Sequence, residues 1–148
     1  MNLYTIGFTQ KSAERFFGLL RESGAKRVVD VRLRPDGQLA GFTRKTDLEF
    51  FLPTILGKKR GGYQHLPQLA PTSEMLDSYR KEHHDWARYE REFIALMAER
   101  RIEKMPIKRV LSDACLLCSE PGPHHCHRRL VAEYLQQHWG GIEIIHLT

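Results

Sequence analysis

Short runs that favour β-strands alternate along the chain with segments of helical periodicity. Residues 3–7 form the first such run, and they precede a segment in which Phe16 and Leu20 recur at helical spacing. A second run with an apolar centre covers residues 26–32, and residues 142–147 close the chain as a further strand. Parallel strands need crossover connections, which are usually helices. The alternation therefore predicts an α/β fold, a Rossmann-like three-layer sandwich with a mostly parallel sheet.

The length and cysteine content favour a single domain. The 148 residues suit one compact domain, and neither an internal repeat nor a Pro/Gly/Ser-rich linker divides them. No stretch approaches the roughly 18 apolar residues of a membrane helix, and the N-terminus lacks a signal-peptide pattern. Three cysteines, an odd number, argue against a secreted disulfide framework. We expect one domain over residues 1–148, located in the cytoplasm and without a membrane partner.

The positive charge is concentrated in one segment. The formal net charge is +5, and residues 21–60 hold 10 Lys and Arg against 5 Asp and Glu. This segment includes Arg32, Arg34 and the run Lys58-Lys59-Arg60. Such a segment favours an anionic partner, either a small molecule or a nucleic acid, although a solvated charged surface has the same composition.

Two longer helical segments occupy the middle of the chain. Thr46 and Glu49 have the spacing of a capping box, which predicts a helix that begins near Thr46. Residues 73–104 are predicted to be mostly helical, with a break near residues 83–85. After this break Trp86, Tyr89 and Phe93 recur at helical spacing and share one face.

The most informative stretch, residues 116–129, combines thiols, imidazoles, a carboxylate and guanidinium groups between a strand and a helix. Cys118 and Glu120 lie where the predicted strand leaves the sheet, so their side chains point the same way. Residues 126–128 begin the next helix, whose N-terminus favours a thiolate or a bound anion. The alternative is that Cys118 is a buried small hydrophobic residue and His127 an ordinary helix residue. The predicted catalytic residues are Cys118 and Cys126, one as nucleophile or redox thiol, with Glu120 and His127 as proton carriers.

A second cluster follows the strand at residues 26–32. Asp30 and Arg32 lie on one side of this strand near its C-terminal end, where parallel sheets collect ligand contacts. Arg32 and Arg34 are predicted to clamp a carboxylate or phosphate, the alternative being an internal ion pair of Asp30 with Arg32 or Arg128. The turn at residues 7–9 adds a backbone N–H and a hydroxyl at a helix entry. The predicted substrate-binding residues are Gly7, Thr9, Asp30, Arg32, Arg34 and Arg128, and we expect Asp30, Arg32, Cys118, Glu120 and Arg128 in one cleft.

A metal site is the third possibility for the cysteines. Cys115 and Cys118 have the spacing of a zinc knuckle, and Cys126 with its neighbouring histidines offers further ligands. Residues three apart on a strand face opposite sides, however, so Cys115 turns away from Cys118. We therefore predict neither a stoichiometric metal nor a cofactor. Of the thiols, Cys126, or failing that Cys118, is expected to have a lowered pKa because of the helix N-terminus and of Arg128 and Arg129.

These motifs together resemble the domain of unknown function 488 family, in order and over nearly the whole chain. The resemblance implies a small cytosolic α/β protein of prokaryotic type whose motifs gather at one site. The chain differs from the usual pattern at Phe8, where His is common, and at Ala70, where Gly is common. The matching segments are Ile6-Gly7-Phe8-Thr9, Val29-Asp30-Val31-Arg32 with Pro35, residues 63–69, Leu116-Leu117-Cys118-Ser119-Glu120, Cys126-His127-Arg128-Arg129-Leu130 and Ile145-His146-Leu147.

Three functions are compatible with this sequence. The first is an enzyme that acts on a phosphorylated small molecule, a nucleotide or a nucleic-acid end, with a cysteine as nucleophile and arginines that hold the anion. The second is a nucleic-acid-binding or regulatory module without catalysis, and the third is a metal site in a partner-binding protein. The Cys-x5-Arg loop of tyrosine phosphatases is absent, because the positions six beyond Cys126 and Cys118 are Ala132 and His124.

Overall fold

The computed structural model describes residues 1–37, 41–57, 62–120 and 122–148. In these ranges the strands are β1 (Asn2–Gly7), β2 (Arg27–Asp30), β3 (Tyr63–His65), β4 (Ala114–Cys118) and β5 (Glu143–Leu147). They form one sheet in the order β3-β2-β4-β1-β5, and every neighbouring pair is parallel. The predicted α/β class with a parallel sheet is confirmed. The basic run Lys58-Lys59-Arg60 lies outside the described residues.

Helices connect the strands and cover both faces of the sheet. They are α1 (Ala13–Ser23), α2 (Lys45–Leu56), α3 (Ser73–Ser78), α4 (Trp86–Arg100), α5 (Lys108–Leu111) and α6 (His127–Trp139). A π-helical turn, Tyr79–His83, follows α3, and a short break separates it from α4. This break agrees with the interruption predicted near residues 83–85. Short 3₁₀ turns cover Gly41–Thr43, Pro67–Leu69 and Ile102–Lys104. None of the helices in these ranges has the length and apolarity needed to span a bilayer.

The helix starts agree with the sequence at α1 and differ at α2. The hydroxyl of Ser12 accepts a backbone N–H in the first turn of α1, which is ordinary N-capping. At α2 the N-cap is Arg44, without a side-chain cap hydrogen bond, and the N–H of Leu48 already donates to the Arg44 carbonyl. The capping box predicted at Thr46 and Glu49 is therefore wrong, because Thr46 lies inside the first turn.

Alternate residues of β4 pack into two separate hydrophobic cores, one on each face of the sheet. Ala114, Leu116 and Cys118 pack on the face that α4 and α6 cover, whereas Cys115 and Leu117 pack on the face that α1 and α2 cover. The predicted divergence of Cys115 from Cys118 is confirmed, and it follows from the two-residue period of a strand.

The connections leave two adjacent strands in opposite directions. From β1 the chain passes to α1 on one face, whereas from the neighbouring β4 it passes to α6 on the other face. Such a divergence opens a crevice at the carboxyl ends of the strands, which is the usual place for a ligand in this type of sheet.

Gly7 ends β1 in a very confined place. A Cβ atom built on Gly7 would lie 1.5 Å from the carbonyl oxygen of Glu120 and 2.8 Å from Nη1 of Arg128. The end of β1 can approach the chain that follows β4 because this position has no side chain.

We predict that Gly7→Ala lowers the free energy of unfolding by about 1–3 kcal/mol, because the new methyl group displaces backbone rather than a flexible side chain. The matched control is Gly18→Ala within α1, where a Cβ meets nothing within 4 Å. That variant is expected to be as stable as the parent or more stable by about 0.5–1 kcal/mol. Urea denaturation measures both, and a Gly7→Ala protein of unchanged stability would contradict the close approach.

Candidate active site

A cavity of about 200 Å³ lies at the carboxyl ends of the central strands. Phe8 follows β1, Arg32 follows β2 and Cys118 ends β4, and all three line the cavity. The opposite wall comes from the helical layer, where the π turn contributes Tyr79 and α4 contributes Trp86. The cavity lies at the edge of the sheet where the sequence predicts the site.

Two thiols and one imidazole meet in this cavity. The sulfurs of Cys118 and Cys126 and a ring nitrogen of His127 lie within 4.8 Å of one another, and all three residues are buried. Nδ1 of His127 is 3.5 Å from Sγ of Cys118, and Nε2 donates to the carbonyl of Val31 at 2.7 Å. Because a carbonyl only accepts, Nε2 carries a proton, and Nδ1 is left to exchange a proton with the thiol.

The surroundings of Cys118 favour its thiolate. Burial alone would raise the pKa of Cys118, but the hydrogen bond from Cys126, the charge of Arg128 and the backbone N–H of Ser119 together lower it. Glu120 opposes this effect only weakly. Cys118 is thus the thiol whose pKa lies below its usual range.

The two other thiols behave in the opposite way. Burial raises the pKa of Cys126 well above its usual value, and the hydrogen bond to Cys118 raises it further. Burial also raises the pKa of Cys115. The first choice of Cys126 as the activated thiol is therefore wrong. Its place at the N-cap of α6 does not compensate for burial and for its role as the donor to a neighbouring sulfur.

The same three side chains could hold a metal ion. Among the described residues, Cys118, Cys126 and His127 form the one group with ligand atoms so close together. Two thiolates and an imidazole are ligands that zinc prefers, and the Val31 carbonyl orients the imidazole as such sites require. The absence of a stoichiometric metal stays a prediction.

Asp30 and Arg32 form a buried ion pair. Nε and Nη2 of Arg32 donate to the two carboxylate oxygens of Asp30 at 2.9 and 2.7 Å, and Nη2 also donates to the carbonyl of Thr43 at 2.6 Å. The hydroxyl of Tyr63 donates to the same carboxylate. Burial alone would lower the pKa of Arg32, but the hydrogen bond and charge of Asp30 raise it. The internal ion pair considered as the alternative is what the structure contains.

The other two arginines of the predicted site, Arg34 and Arg128, have different environments. Arg34 is exposed, and its Nη2 lies 2.8 Å from the hydroxyl of Ser73 and 3.6 Å from Asp77. Arg128 is fully buried outside the cavity lining, and its Nη1 donates to the carbonyl of Glu120 at 2.7 Å. Arg32 and Arg34 both line the cavity, and the clamp of an anion by these two arginines stays a prediction. Arg128 acts on Cys118 through its charge and not as a wall of the cleft.

The remaining predicted residues are split between the cavity and its support. Glu120 lines the cavity with an exposed side chain. Gly7 lies beside Cys118 in the sheet register, and the N–H of Thr9 donates to the carbonyl of Ser119 at 3.0 Å. Neither Gly7 nor Thr9 is part of the cavity lining, so their contact with a substrate stays a prediction.

Sequence reasoning missed the helical side of the cavity. Tyr79 and Arg80 of the π turn and Trp86 of α4 line it, and none of them lies at the end of a strand. The interruption near residues 83–85 was the available signal, because π turns inside helices are frequent at functional sites.

Comparison with known proteins gives one match. A family model described as "Domain of unknown function DUF488" matches residues 12–135, which is most of the chain. No curated protein and no solved structure matches the chain.

We predict that Arg32→Ala lowers the free energy of unfolding by about 3–5 kcal/mol, because it leaves the buried carboxylate of Asp30 without its cation. Arg34→Ala, the matched control, removes an exposed and weakly paired charge and is expected to cost less than about 1 kcal/mol. Denaturant unfolding of both variants gives the comparison. Equal, small losses would show that Arg32 is not structural.

Proposed function

The chain belongs to the DUF488 family, and we propose that it is a thiol-dependent enzyme acting on an anionic substrate. The description of the family states no activity, so the proposal rests on the site. The single observation that carries this proposal is the environment of Cys118. Its sulfur lines a cavity, has a lowered pKa and lies 3.5 Å from Nδ1 of His127. A nucleophile, a base and a third group that orients the base are the usual parts of covalent catalysis by cysteine.

The parts have distinct tasks in this proposal. Nδ1 of His127 takes the proton of Cys118, and the thiolate forms a bond to the electrophilic atom of the substrate. The S–H of Cys126 donates to the Cys118 sulfur and stabilises its negative charge before the attack. The leaving group departs with the proton held by His127, and water then releases the product from the sulfur. Glu120 at the cavity surface is placed to carry a proton for that water.

The charges around the cavity support an anionic substrate. Three arginines, Arg32, Arg34 and Arg80, belong to its described lining. Glu120 is the one acidic residue of that lining. The charge of Arg32 is already paired with Asp30. Arg34 and Arg80 are exposed, and Arg34 shares its charge with Asp77 at the surface, so both guanidinium groups are accessible to an anionic ligand.

We expect Cys118 to react with iodoacetamide faster than Cys115 and Cys126 at pH 7, because the thiolate is the reacting form and only Cys118 has a lowered pKa. The labelling rate of Cys118 should reach half of its plateau below pH 9.0, the ordinary thiol value, and peptide mass spectrometry assigns the sites. Cys126→Ala removes the donated hydrogen bond and should move this midpoint to higher pH.

The matched control for that shift is Cys115→Ala. Cys115 is a buried cysteine on the other face of β4, so its removal should leave the Cys118 midpoint unchanged. Two outcomes would reject the proposal. One is that all three thiols react only above about pH 8 with equal rates. The other is about one zinc per chain in the purified protein, lost in Cys118→Ser, which would make the cluster a metal site.

A further inference from the structure

The wall of the cavity that faces the thiols is built largely of rings. Tyr79, Trp86, Tyr89 and His125 contribute to it, together with the cation Arg80. We propose that this wall selects a substrate that joins a planar aromatic ring to a phosphate or carboxylate, with the size of a nucleoside monophosphate. The proposal deepens the proposed function and rests on it, since it takes this cavity as the place of reaction.

The rings already form an ordered stack. The ring centroids of Tyr89 and Trp86 are 5.2 Å apart at an angle of 28°, and those of Trp86 and His125 are 5.0 Å apart at 18°. The stack begins at the buried Tyr89 and ends at His125, whose side chain is exposed. A flat ligand ring that enters the cavity can extend such a stack, which is how aromatic side chains bind bases without reading their edges.

One residue of the cavity lining carries a polar group without a hydrogen-bond partner. The hydroxyl of Tyr89 is buried and has no hydrogen-bond partner among the described residues, although Tyr89 lines the cavity. A buried hydroxyl without a partner is costly, and a polar atom of a bound substrate would satisfy it. This hydroxyl therefore points to a ligand with a hydrogen-bonding atom on or near its ring.

The cations lie at the open side of the wall. Arg80 belongs to the π turn, is exposed and makes no ion pair within the described part of the chain. Arg34 reaches the same cavity from the loop after β2, and its exposed guanidinium contacts the hydroxyl of Ser73 and the carboxylate of Asp77. A ring that lies on the stack would thus have its anionic group within the reach of two guanidinium groups.

The size of the cavity argues for a single small molecule. Its volume of about 200 Å³ accommodates one ring-bearing ligand rather than several stacked bases. The lining also includes Leu33, Leu76 and Phe8, which remove a ring from water.

The first experiment is calorimetric titration of the intact protein with four compounds. Adenosine 5′-monophosphate and benzoate each carry a ring and an anion, whereas adenosine carries no anion and ribose 5-phosphate carries no ring. We expect at least one of the two aromatic anions to bind tenfold or more tightly than both adenosine and ribose 5-phosphate. Phenyl phosphate titrated in place of benzoate then separates a phosphate from a carboxylate as the preferred anion, because the two compounds carry the same ring. Equal affinity for ribose 5-phosphate, or the absence of binding by both aromatic anions, would overturn the proposal.

Variants assign the binding to the wall. Trp86→Leu should lower the affinity for the preferred aromatic anion about tenfold and leave the affinity for ribose 5-phosphate unchanged. The matched control is Trp139→Phe in the C-terminal turn of α6. Because Trp86 is half-buried, the exposed His125→Ala provides a second test with the same expected direction. Tyr89→Phe should also weaken binding, since it removes the unpartnered hydroxyl. Unchanged affinity in all three variants would reject the stack as the binding surface.

The anion contact has its own pair of variants. Arg80→Gln should weaken the aromatic anion several-fold without changing adenosine, whereas Lys81→Gln, next to it in sequence and paired with Asp77 outside the cavity lining, should have no effect. Equal losses in both variants would mean that only overall charge matters, and they would contradict the proposed contact.

Labelling of Cys118 keeps the two proposals separable. Rapid labelling of Cys118 together with no preference for aromatic anions would refute the substrate class and leave the thiol chemistry standing. Binding with the expected preferences, but with an unreactive Cys118, would support the ring-and-anion site and refute the thiol-dependent enzyme. Protection of Cys118 by the bound aromatic anion would support both.

Discussion

The buried charge of Arg128 is the constraint on which the rest of the site depends. Its side chain is fully buried, no salt bridge with a described residue balances it, and its Nε and Nη2 have no hydrogen-bond partner there. An uncompensated cation in the interior is costly, and a nearby negative charge relieves it. Burial lowers the pKa values of Lys11 and His146, and the charge of Arg128 lowers them further. The same charge, together with the hydrogen bond of Cys126, lowers the pKa of Cys118. Fold and reactivity are therefore coupled, because the thiolate of Cys118 is the anion that this guanidinium favours.

The site is divided between the two layers of the fold. The sheet edge holds the reactive groups, since β4 delivers Cys118 and the first turn of α6 delivers His127 against the carbonyl that follows β2. In the proposed substrate site the helical layer supplies the recognition groups, because the π turn and α4 present rings and a cation to the cavity. Adjacent strands whose connections leave in opposite directions produce the crevice in which the two sets meet.

Local patterns in the sequence carried much of the fold. The alternation of strand-like and helical segments predicted the parallel sheet, and the two-residue period of a strand predicted that Cys115 and Cys118 lie on opposite faces. The strand-end rule also located the cavity at the ends of β2 and β4. The same rule overlooked the aromatic wall, because residues on a helical break give no strand signal. Thr46 had the correct spacing for a cap, but the path of the preceding 3₁₀ turn decided where α2 begins.

The sequence by itself determined the α/β class, the faces of the strands and the edge of the sheet at which the cavity lies, because these follow from periodicities within a few neighbouring residues. Of the five residues expected in one cleft, Arg32, Cys118 and Glu120 line the cavity, whereas Asp30 and Arg128 lie outside its lining. Only the tertiary structure decided which thiol ionises and which arginine is free. Arg32 is paired and Arg128 is buried, and neither state can be seen from their spacing. Nε2 of His127 finds its partner 96 positions away, at Val31. Desolvation and charge pairing depend on distances between such remote segments, so the pKa values that choose Cys118 over Cys126 exist only in the folded chain.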